Sequence, residues 1–119
     1  MQTTTQKLFI LAGGLSGAAG VALSAVAAHA GGGNVGTAAS FLLAHAPAFL
    51  AIGLIGGNRV LKGGGAVLLI GLVLFCGDLL ARHYAGARLF PMAAPAGGTL
   101  LIAGWLVVAA SALAASSRR

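Results

Sequence analysis

Four long runs of apolar residues dominate the pattern of hydrophobic and polar positions along this chain. The runs extend over residues 8–28, 38–57, 64–84 and 96–115. A helix rises about 1.5 Å per residue, so each run is long enough to cross roughly 30 Å of hydrocarbon. The segments between them are rich in glycine, asparagine and proline, which favour turns. The pattern predicts an all-α fold: a polytopic membrane protein in which residues 1–119 form a single membrane domain, a four-transmembrane-helix bundle.

The composition supports a membrane protein and narrows the choice of partners. Of the 119 residues, 59% are hydrophobic and 7% are charged, which is too few polar residues for the surface of a water-soluble domain. The formal net charge is +6, but the basic residues lie almost entirely outside the apolar runs and do not cluster in one patch. We therefore expect membrane lipid around the helices and no nucleic acid partner.

The basic residues also predict which side of the membrane the chain ends face. Four spans place both termini on one side, and cytoplasmic segments retain an excess of lysine and arginine. Five basic residues fall on the terminal side and two on the opposite side. This bias predicts that both termini are cytoplasmic and that the first and third loops face outward. The five are Lys7, Arg59, Lys62, Arg118 and Arg119, and the two are Arg82 and Arg88.

The first apolar run has a second interpretation, which is a cleaved secretory signal peptide. Lys7 precedes the run, and Ala28-His29-Ala30 has the small-x-small form of a cleavage site. The apolar stretch is longer than the core of a typical signal peptide, however. We expect the first span to be retained.

Small residues spaced four apart allow helices to approach closely in a bilayer. Such stripes occur on the first two predicted helices, and we expect them to pack the helices of one chain against each other. A dimerisation face is the alternative, because the same pattern supports both. The stripes are Ser16, Gly20, Ser24 and Ala28; Gly13 and Gly17; and Gly53 and Gly57.

Pro47 lies inside the second span, where it cannot donate a backbone hydrogen bond to the carbonyl of Leu43. We expect a kink near Leu43. The freed carbonyl is close to His45 along the chain, so satisfying that carbonyl is one structural role for the histidine.

The ionisable residues within the spans are the strongest candidates for a functional site, because such groups are costly in a membrane and must be paired or hydrated. Counting from the outer ends of their spans places His45 and Asp78 each about 10 Å deep. Asp78 and Arg82 are four residues apart with the acid first, the favourable order for an ion pair on one helix. The sequence therefore predicts a polar layer of His45, Asp78 and Arg82, with Ser24 near the same depth and Thr99 as a further contributor.

Two interpretations of this layer stay open at the level of sequence. It is either a packed polar network that fixes the bundle, or a site for an ion, a proton or a small molecule such as a quinone. Haem ligation is a weaker alternative, because His29 and His45 differ in predicted depth by nearly two helical turns. The sequence has no nucleophile with a base, no metal-ligand spacing and no phosphate-binding loop. We expect no catalytic, cofactor-binding or metal-binding residues and no enzymatic activity.

Three motifs occur in the order found in a known family. They are the run from Gly17 to Leu23 leading to Ala28-His29, then His45-Ala46, then Ala94-Pro95-Ala96-Gly97-Gly98 leading to Ile102-Ala103-Gly104-Trp105. Over nearly its whole length the chain resembles the small bacterial membrane proteins catalogued as domain of unknown function 423, relatives of transmembrane protein 256. The resemblance implies four transmembrane helices and a bacterial inner (cytoplasmic) membrane, and it implies no activity.

The chain departs from the family pattern at two places. Phe41-Leu42 stands where the family leads us to expect an aromatic residue followed by glutamine, and Cys76-Gly77-Asp78 stands where we expect Ser-Gly-Ser. The resemblance therefore does not explain Asp78.

Two functional hypotheses follow. The first is a structural or accessory subunit that packs with itself, as a homo-oligomer, or with a larger membrane complex. It depends on the near absence of extramembrane mass, the small-residue stripes and the lack of a catalytic set. The alternative is a binding or transport protein for an ion, a proton or a small ligand, which would use the polar layer in the outer half of the bundle.

Overall fold

The computed structural model describes residues 1–114 and contains four α-helices. These are α1 (Thr4–Ala30), α2 (Gly33–Ile55), α3 (Arg59–Tyr84) and α4 (Ala93–Ala110). Each helix is long and apolar enough to span a membrane, and no strand occurs within residues 1–114. The predicted all-α fold of four membrane-spanning helices is confirmed.

All four helices begin earlier than the apolar runs do, and in α1 and α3 a polar side chain at the N-terminal end completes the backbone hydrogen bonding. Thr3 caps α1, and its hydroxyl accepts a bond from the backbone N–H of Gln6. Asn58 caps α3 in the same way. The largest differences, five residues each, are in α2 and α3, which start at Gly33 and Arg59 rather than at residues 38 and 64. Hydropathy marks the part of a helix suited to lipid and does not mark the residue at which the helix begins.

The last helix is shorter than predicted. Helix α4 ends at Ala110 and is followed by a turn over residues 111–113, whereas the apolar run extends to residue 115. Residue 115 and the basic residues Arg118 and Arg119 lie outside the described part of the chain. Pro95 sits in the first turn of α4, where its missing N–H costs no helical hydrogen bond.

The four helices form two antiparallel hairpins, α1–α2 and α3–α4, which meet mainly where α2 packs against α3. Residues with little or no exposure fill this junction, among them Phe49 of α2 and Leu68 and Leu72 of α3. Phe9 of α1 reaches across to α3 beside Gly65, where an added Cβ would lie 2.7 Å from its ring. Helices α2 and α3 are therefore central, and α1 and α4 flank them.

The ends of the bundle are called here the terminal end and the far end. The terminal end holds the N-terminus, the α2–α3 connection and the last turn of α4. The far end holds the short α1–α2 connection at residues 31–32 and the longer α3–α4 connection at residues 85–92.

Glycines on α1 and α2 bring these two helices into backbone contact. A Cβ at Gly13 would lie 2.9 Å from the carbonyl oxygen of Ala46, and one at Gly20 would lie 2.7 Å from the side chain of Leu43. Gly53 faces α1 in the same manner, 2.8 Å from the carbonyl oxygen of Gln6. These three glycines pack the chain against itself and not against a second copy.

The other predicted packing positions are less tightly enclosed. Gly17 faces Ala46 at an ordinary contact distance of 3.7 Å, and Ser24 is half-buried. Gly57 was expected on the second helix, but it lies in the α2–α3 connection with a φ of 67°. That expectation is wrong because α2 ends at Ile55, and Gly57 allows the turn instead.

A second set of glycines packs α3 against α4. A Cβ at Gly97 would lie 2.5 Å from the backbone nitrogen of Phe75, and one at Gly71 would lie 2.9 Å from the carbonyl oxygen of Gly97. Gly104 is equally close to Leu68. In both hairpins the close-packed glycines recur seven residues apart, at 13 and 20 on α1 and at 97 and 104 on α4. Seven-residue spacing is the period at which a helix presents the same face to a slightly tilted neighbour.

Candidate functional site

Asp78 has no solvent exposure and accepts three hydrogen bonds. Arg82, one turn further along α3, donates from Nε at 3.1 Å and from Nη2 at 2.7 Å to the carboxylate oxygen Oδ2. The backbone N–H of Leu89 donates to the other oxygen, Oδ1, at 2.9 Å. Each carboxylate oxygen therefore has a partner, which is the condition for burying a charge.

The bond to Leu89 gives Asp78 a structural role at the far end. Leu89 lies in the α3–α4 connection, eleven residues beyond Asp78. The connection exposes large apolar side chains, including Leu89 at 51% and Phe90 at 45%. Asp78 holds this exposed segment to the end of α3.

His45 is buried on α2 and uses both ring nitrogens. Its Nδ1 lies 2.8 Å from the carbonyl oxygen of Phe41, and its Nε2 lies 3.1 Å from Nε1 of Trp105 on α4. A carbonyl can only accept and an indole N–H can only donate. The two contacts therefore assign the proton to Nδ1 and leave Nε2 as an acceptor, which is the neutral Nδ1–H form of the imidazole.

The contact also corrects the expected role of Pro47. His45 bonds to the carbonyl of Phe41, four residues back, and not to that of Leu43. Helix α2 runs through Pro47 without interruption. The histidine links α2 to α4 and does not repair the hydrogen bond that proline removes.

His45 and Asp78 do not lie in one layer. Cys76 Sγ is 3.7 Å from the carbonyl oxygen of Ala38, so these two residues lie at the same depth. His45 follows Ala38 by seven residues, which places it about 10 Å nearer the terminal end. Asp78 lies on the other side of Cys76, towards the far end. The predicted single layer is wrong, because α2 starts five residues earlier than its apolar run and His45 is correspondingly deeper.

The remaining polar candidates take part in neither the contacts of Asp78 nor those of His45. The hydroxyl of Thr99 donates to the carbonyl of Pro95 at 2.8 Å within α4. His29 is exposed at the end of α1, and its Nδ1 lies 2.8 Å from the carbonyl oxygen of Ala25. Ser24 is on α1 and has no hydrogen bond to His45 or Asp78.

A cavity of about 800 Å³ lies between α2 and α4, with α3 as its floor. Its walls are mainly apolar and aromatic, including Phe41, Phe75 and Trp105. His45 lines the deep part, and two arginines, Arg82 and Arg88, line the part at the far end. Of the three main predicted members of the layer, His45 and Arg82 line this cavity, whereas Asp78 does not.

Two further polar side chains were not predicted and secure the terminal end. Gln6 Nε2 donates to the carbonyl of Gly53 at 3.0 Å, which ties the start of α1 to the end of α2. Asn58 accepts from the backbone N–H of Leu61 and donates to the carbonyl of Ser111 at 3.0 Å. It therefore caps α3 and holds the end of α4. Asparagine before an apolar run is a helix N-cap signal, so the capping role of Asn58 could have been predicted from sequence. No sequence pattern indicated its bond to Ser111.

Within residues 1–114 no group of three or more histidine, cysteine, aspartate or glutamate side chains could hold a metal ion. Cys76 is a buried free thiol. No buried side-chain nitrogen or oxygen in that range lacks a hydrogen-bond partner.

Comparison with known proteins places the chain in a family. The family described as "Protein of unknown function (DUF423)" matches residues 16–98. A UPF0382 membrane protein of Staphylococcus epidermidis is 31% identical over 117 residues, a match that covers 90% of this chain and 96% of that protein. No solved structure matches the chain. The resemblance inferred from the sequence motifs is confirmed, and the chain is a membrane protein that belongs to the DUF423 family.

Proposed function

We propose that this protein is a small structural or accessory membrane subunit that packs with copies of itself or with a larger membrane complex. The described connections contain few residues, over 31–32, 56–58 and 85–92, so within residues 1–114 almost no mass lies outside the helices. The buried polar groups of residues 1–114 are satisfied within the chain. The main surface available to a protein partner is therefore the apolar outer face of the helices.

The observation that carries this proposal is an apolar groove of about 480 Å³ between α1 and α3. Leu8, Leu11 and Leu15 form one edge and are each more than half exposed. Leu69 and Val73 of α3 line the groove on its other side. A concave apolar surface between two helices is the shape into which the ridge of another helix packs.

Cysteine cross-linking tests the proposal. In a Cys76→Ala background, Leu11→Cys places a thiol at the groove and Ile102→Cys places one on the opposite flank, where Ile102 is 67% exposed. We expect a cross-linked product from Leu11→Cys in native membranes, either a dimer or an adduct with another membrane protein, and none from Ile102→Cys. A strictly monomeric particle in mild detergent, with no co-purifying protein, would contradict the proposal.

Binding of a small ligand is the second candidate, and the cavity between α2 and α4 favours it. An ion or proton pathway through Asp78 has less support, because both oxygens of that carboxylate already have partners. We propose no catalytic role and no nucleic acid partner.

We also propose a bacterial inner membrane with both chain termini in the cytoplasm. Three basic residues of the described chain, Lys7, Arg59 and Lys62, lie at the terminal end, and two, Arg82 and Arg88, lie at the far end. The excess of basic residues at the terminal end has the direction that the positive-inside rule predicts for cytoplasmic termini.

A further inference from the structure

The cavity between α2 and α4 combines an apolar interior with a cationic entrance. Phe75 and Leu79 of α3 form part of its floor, and Ile102 and Trp105 lie along α4. Arg82 and Arg88 line it only at the far end. An apolar channel that ends in positive charge matches a molecule with a hydrocarbon chain and an anionic head group.

The charge at this entrance is not balanced within the chain. The sequence contains a single acidic residue, and Asp78 is that residue. Asp78 offsets the charge of Arg82 through their ion pair at 2.7 Å. No hydrogen bond joins Arg88 to the same carboxylate. Two guanidinium groups and one carboxylate leave a net charge of +1 facing the cavity.

The guanidinium groups have donors available for an anion. Arg82 uses Nε and Nη2 for Asp78, which leaves its Nη1 without a partner in residues 1–114. Arg88 is exposed and donates no hydrogen bond within the same range. Phosphate oxygens are strong acceptors for guanidinium groups.

The depth of the cavity fits one leaflet of a bilayer. Its lining on α4 extends from Ala94 to Trp105, a separation of eleven residues or about 16 Å along the helix axis. Half of a hydrocarbon core of roughly 30 Å is nearly the same length. A lipid whose phosphate lies at the far end would therefore place an acyl chain along the cavity as far as Trp105.

We propose that this cavity is a binding site for one anionic phospholipid. Its phosphate bonds to Arg82 and Arg88, and one acyl chain lies between α2 and α4 against Phe75, Ile102 and Trp105. This proposal rests on the second candidate function and gives its small ligand a chemical class. It is independent of the groove between α1 and α3, so it stands whether or not the protein is an accessory subunit.

Quenching of tryptophan fluorescence tests the site directly, because Trp105 is the only tryptophan and lines the cavity. The protein is reconstituted in phosphatidylcholine bilayers that contain increasing fractions of a lipid brominated on its acyl chains. We expect brominated phosphatidylglycerol to reach half-maximal quenching at a mole fraction roughly tenfold below that of brominated phosphatidylcholine, the factor that one charge-assisted hydrogen bond supplies.

Two arginine variants separate a site from general attraction of anionic lipid. Arg88→Gln should abolish the preference for phosphatidylglycerol, while Arg59→Gln, which removes an exposed cation at the terminal end, should leave it unchanged. Equal quenching by both lipids, or loss of preference in both variants, would overturn the proposal. So would displacement of the brominated lipid by inorganic phosphate, because the site would then recognise the anion alone.

Discussion

At the scale of the residue, Asp78 can be buried because both of its hydrogen-bond partners are close to it along the chain. Arg82 is supplied by the same helix one turn away, and Leu89 by the connection that follows it. No other helix is needed to satisfy the carboxylate. Such an arrangement stabilises the end of α3. It agrees better with a packed polar network that fixes the bundle than with a proton pathway.

Substitution of Asp78 tests this account. Asp78→Ala should destabilise the bundle, because it leaves the half-buried Arg82 and the Leu89 N–H without their acceptor. Asp78→Asn should be milder, since its oxygen can still accept from Leu89. The double change to Asp78→Asn and Arg82→Gln should cost less than the sum of the two single changes. The measurement is thermal unfolding in detergent of the wild type, the single variants Asp78→Ala, Asp78→Asn and Arg82→Gln, and the double variant.

A double-mutant cycle provides the control. Asp78 and His45 lie at different depths, so their coupling should be near zero, whereas that of Asp78 and Arg82 should be large. Strong coupling of Asp78 to His45 would contradict the separation of the two contacts.

The second residue-scale prediction concerns the imidazole of His45. With ¹⁵N-labelled histidine, NMR should find this ring protonated at Nδ1 and unprotonated at Nε2. Trp105→Phe removes the donor to Nε2 and should lower the free energy of unfolding by about 1 kcal/mol. A ring protonated at Nε2 would rule out the bond to Trp105.

These residue contacts were predictable from sequence only where they are local. The pair of Asp78 and Arg82 follows from helical spacing, because residues four apart share a face. The bond between His45 and Trp105 joins positions sixty residues apart, and no local pattern specifies it. The depth of His45 was misjudged because apolar runs do not show where a helix begins.

At the scale of the element, each hairpin is a pair of helices held at short distance by glycines. Within α1–α2 the contacts meet backbone atoms or branched side chains that have little freedom to move. The period of these contacts is seven residues, although four-residue stripes were the basis for predicting them. The prediction therefore found Gly13, Gly20 and Gly53 but missed the glycines of α3 and α4.

The adjacent glycines 13 and 14 provide a matched test in α1. A Cβ at Gly13 would meet backbone atoms of Ala46 and Leu50 at 2.9–3.0 Å, whereas Gly14 has nothing within 4 Å. Gly13→Ala should lower the free energy of unfolding by about 1–3 kcal/mol. Gly14→Ala should be neutral or stabilising by up to about 1 kcal/mol, because alanine favours the helix. Equal effects of the two changes would show that α1 and α2 are not in close contact.

The same comparison can be made in α4 with glycines 97 and 98. Gly97→Ala would force a Cβ against the backbone of Phe75, while Gly98→Ala meets only the edge of that ring at 3.9 Å. We expect Gly97→Ala to destabilise by about 1–3 kcal/mol and Gly98→Ala to have little effect. Unfolding of each variant in detergent, followed by circular dichroism, would distinguish them. A Gly97→Ala variant as stable as the wild type would contradict the packing of α3 on α4.

At the scale of the whole molecule, the proposed orientation can be checked with two single cysteines. In the Cys76→Ala background, Gln2→Cys lies at the terminal end and Gly32→Cys at the far end, and both positions are exposed. A membrane-impermeant thiol reagent added outside intact cells should label Gly32→Cys and leave Gln2→Cys unlabelled. The reverse result would invert the topology.

Four spans could be read from hydropathy alone, but their pairing into hairpins depends on contacts that hydropathy does not encode.

The location of Asp78 and Arg82 on one helix also bears on how the chain enters the membrane during synthesis. Asp78 and Arg82 leave the ribosome within one helical turn of each other, ahead of Leu89 and α4, which follow them along the chain. As soon as α3 forms, the acid and the base neutralise each other, so the insertion machinery meets a local dipole and not two isolated charges, which are what membrane insertion disfavours. Helix α3 can therefore partition into lipid without waiting for another helix, and the bond from Leu89 to Asp78 then secures the next part of the chain as it follows.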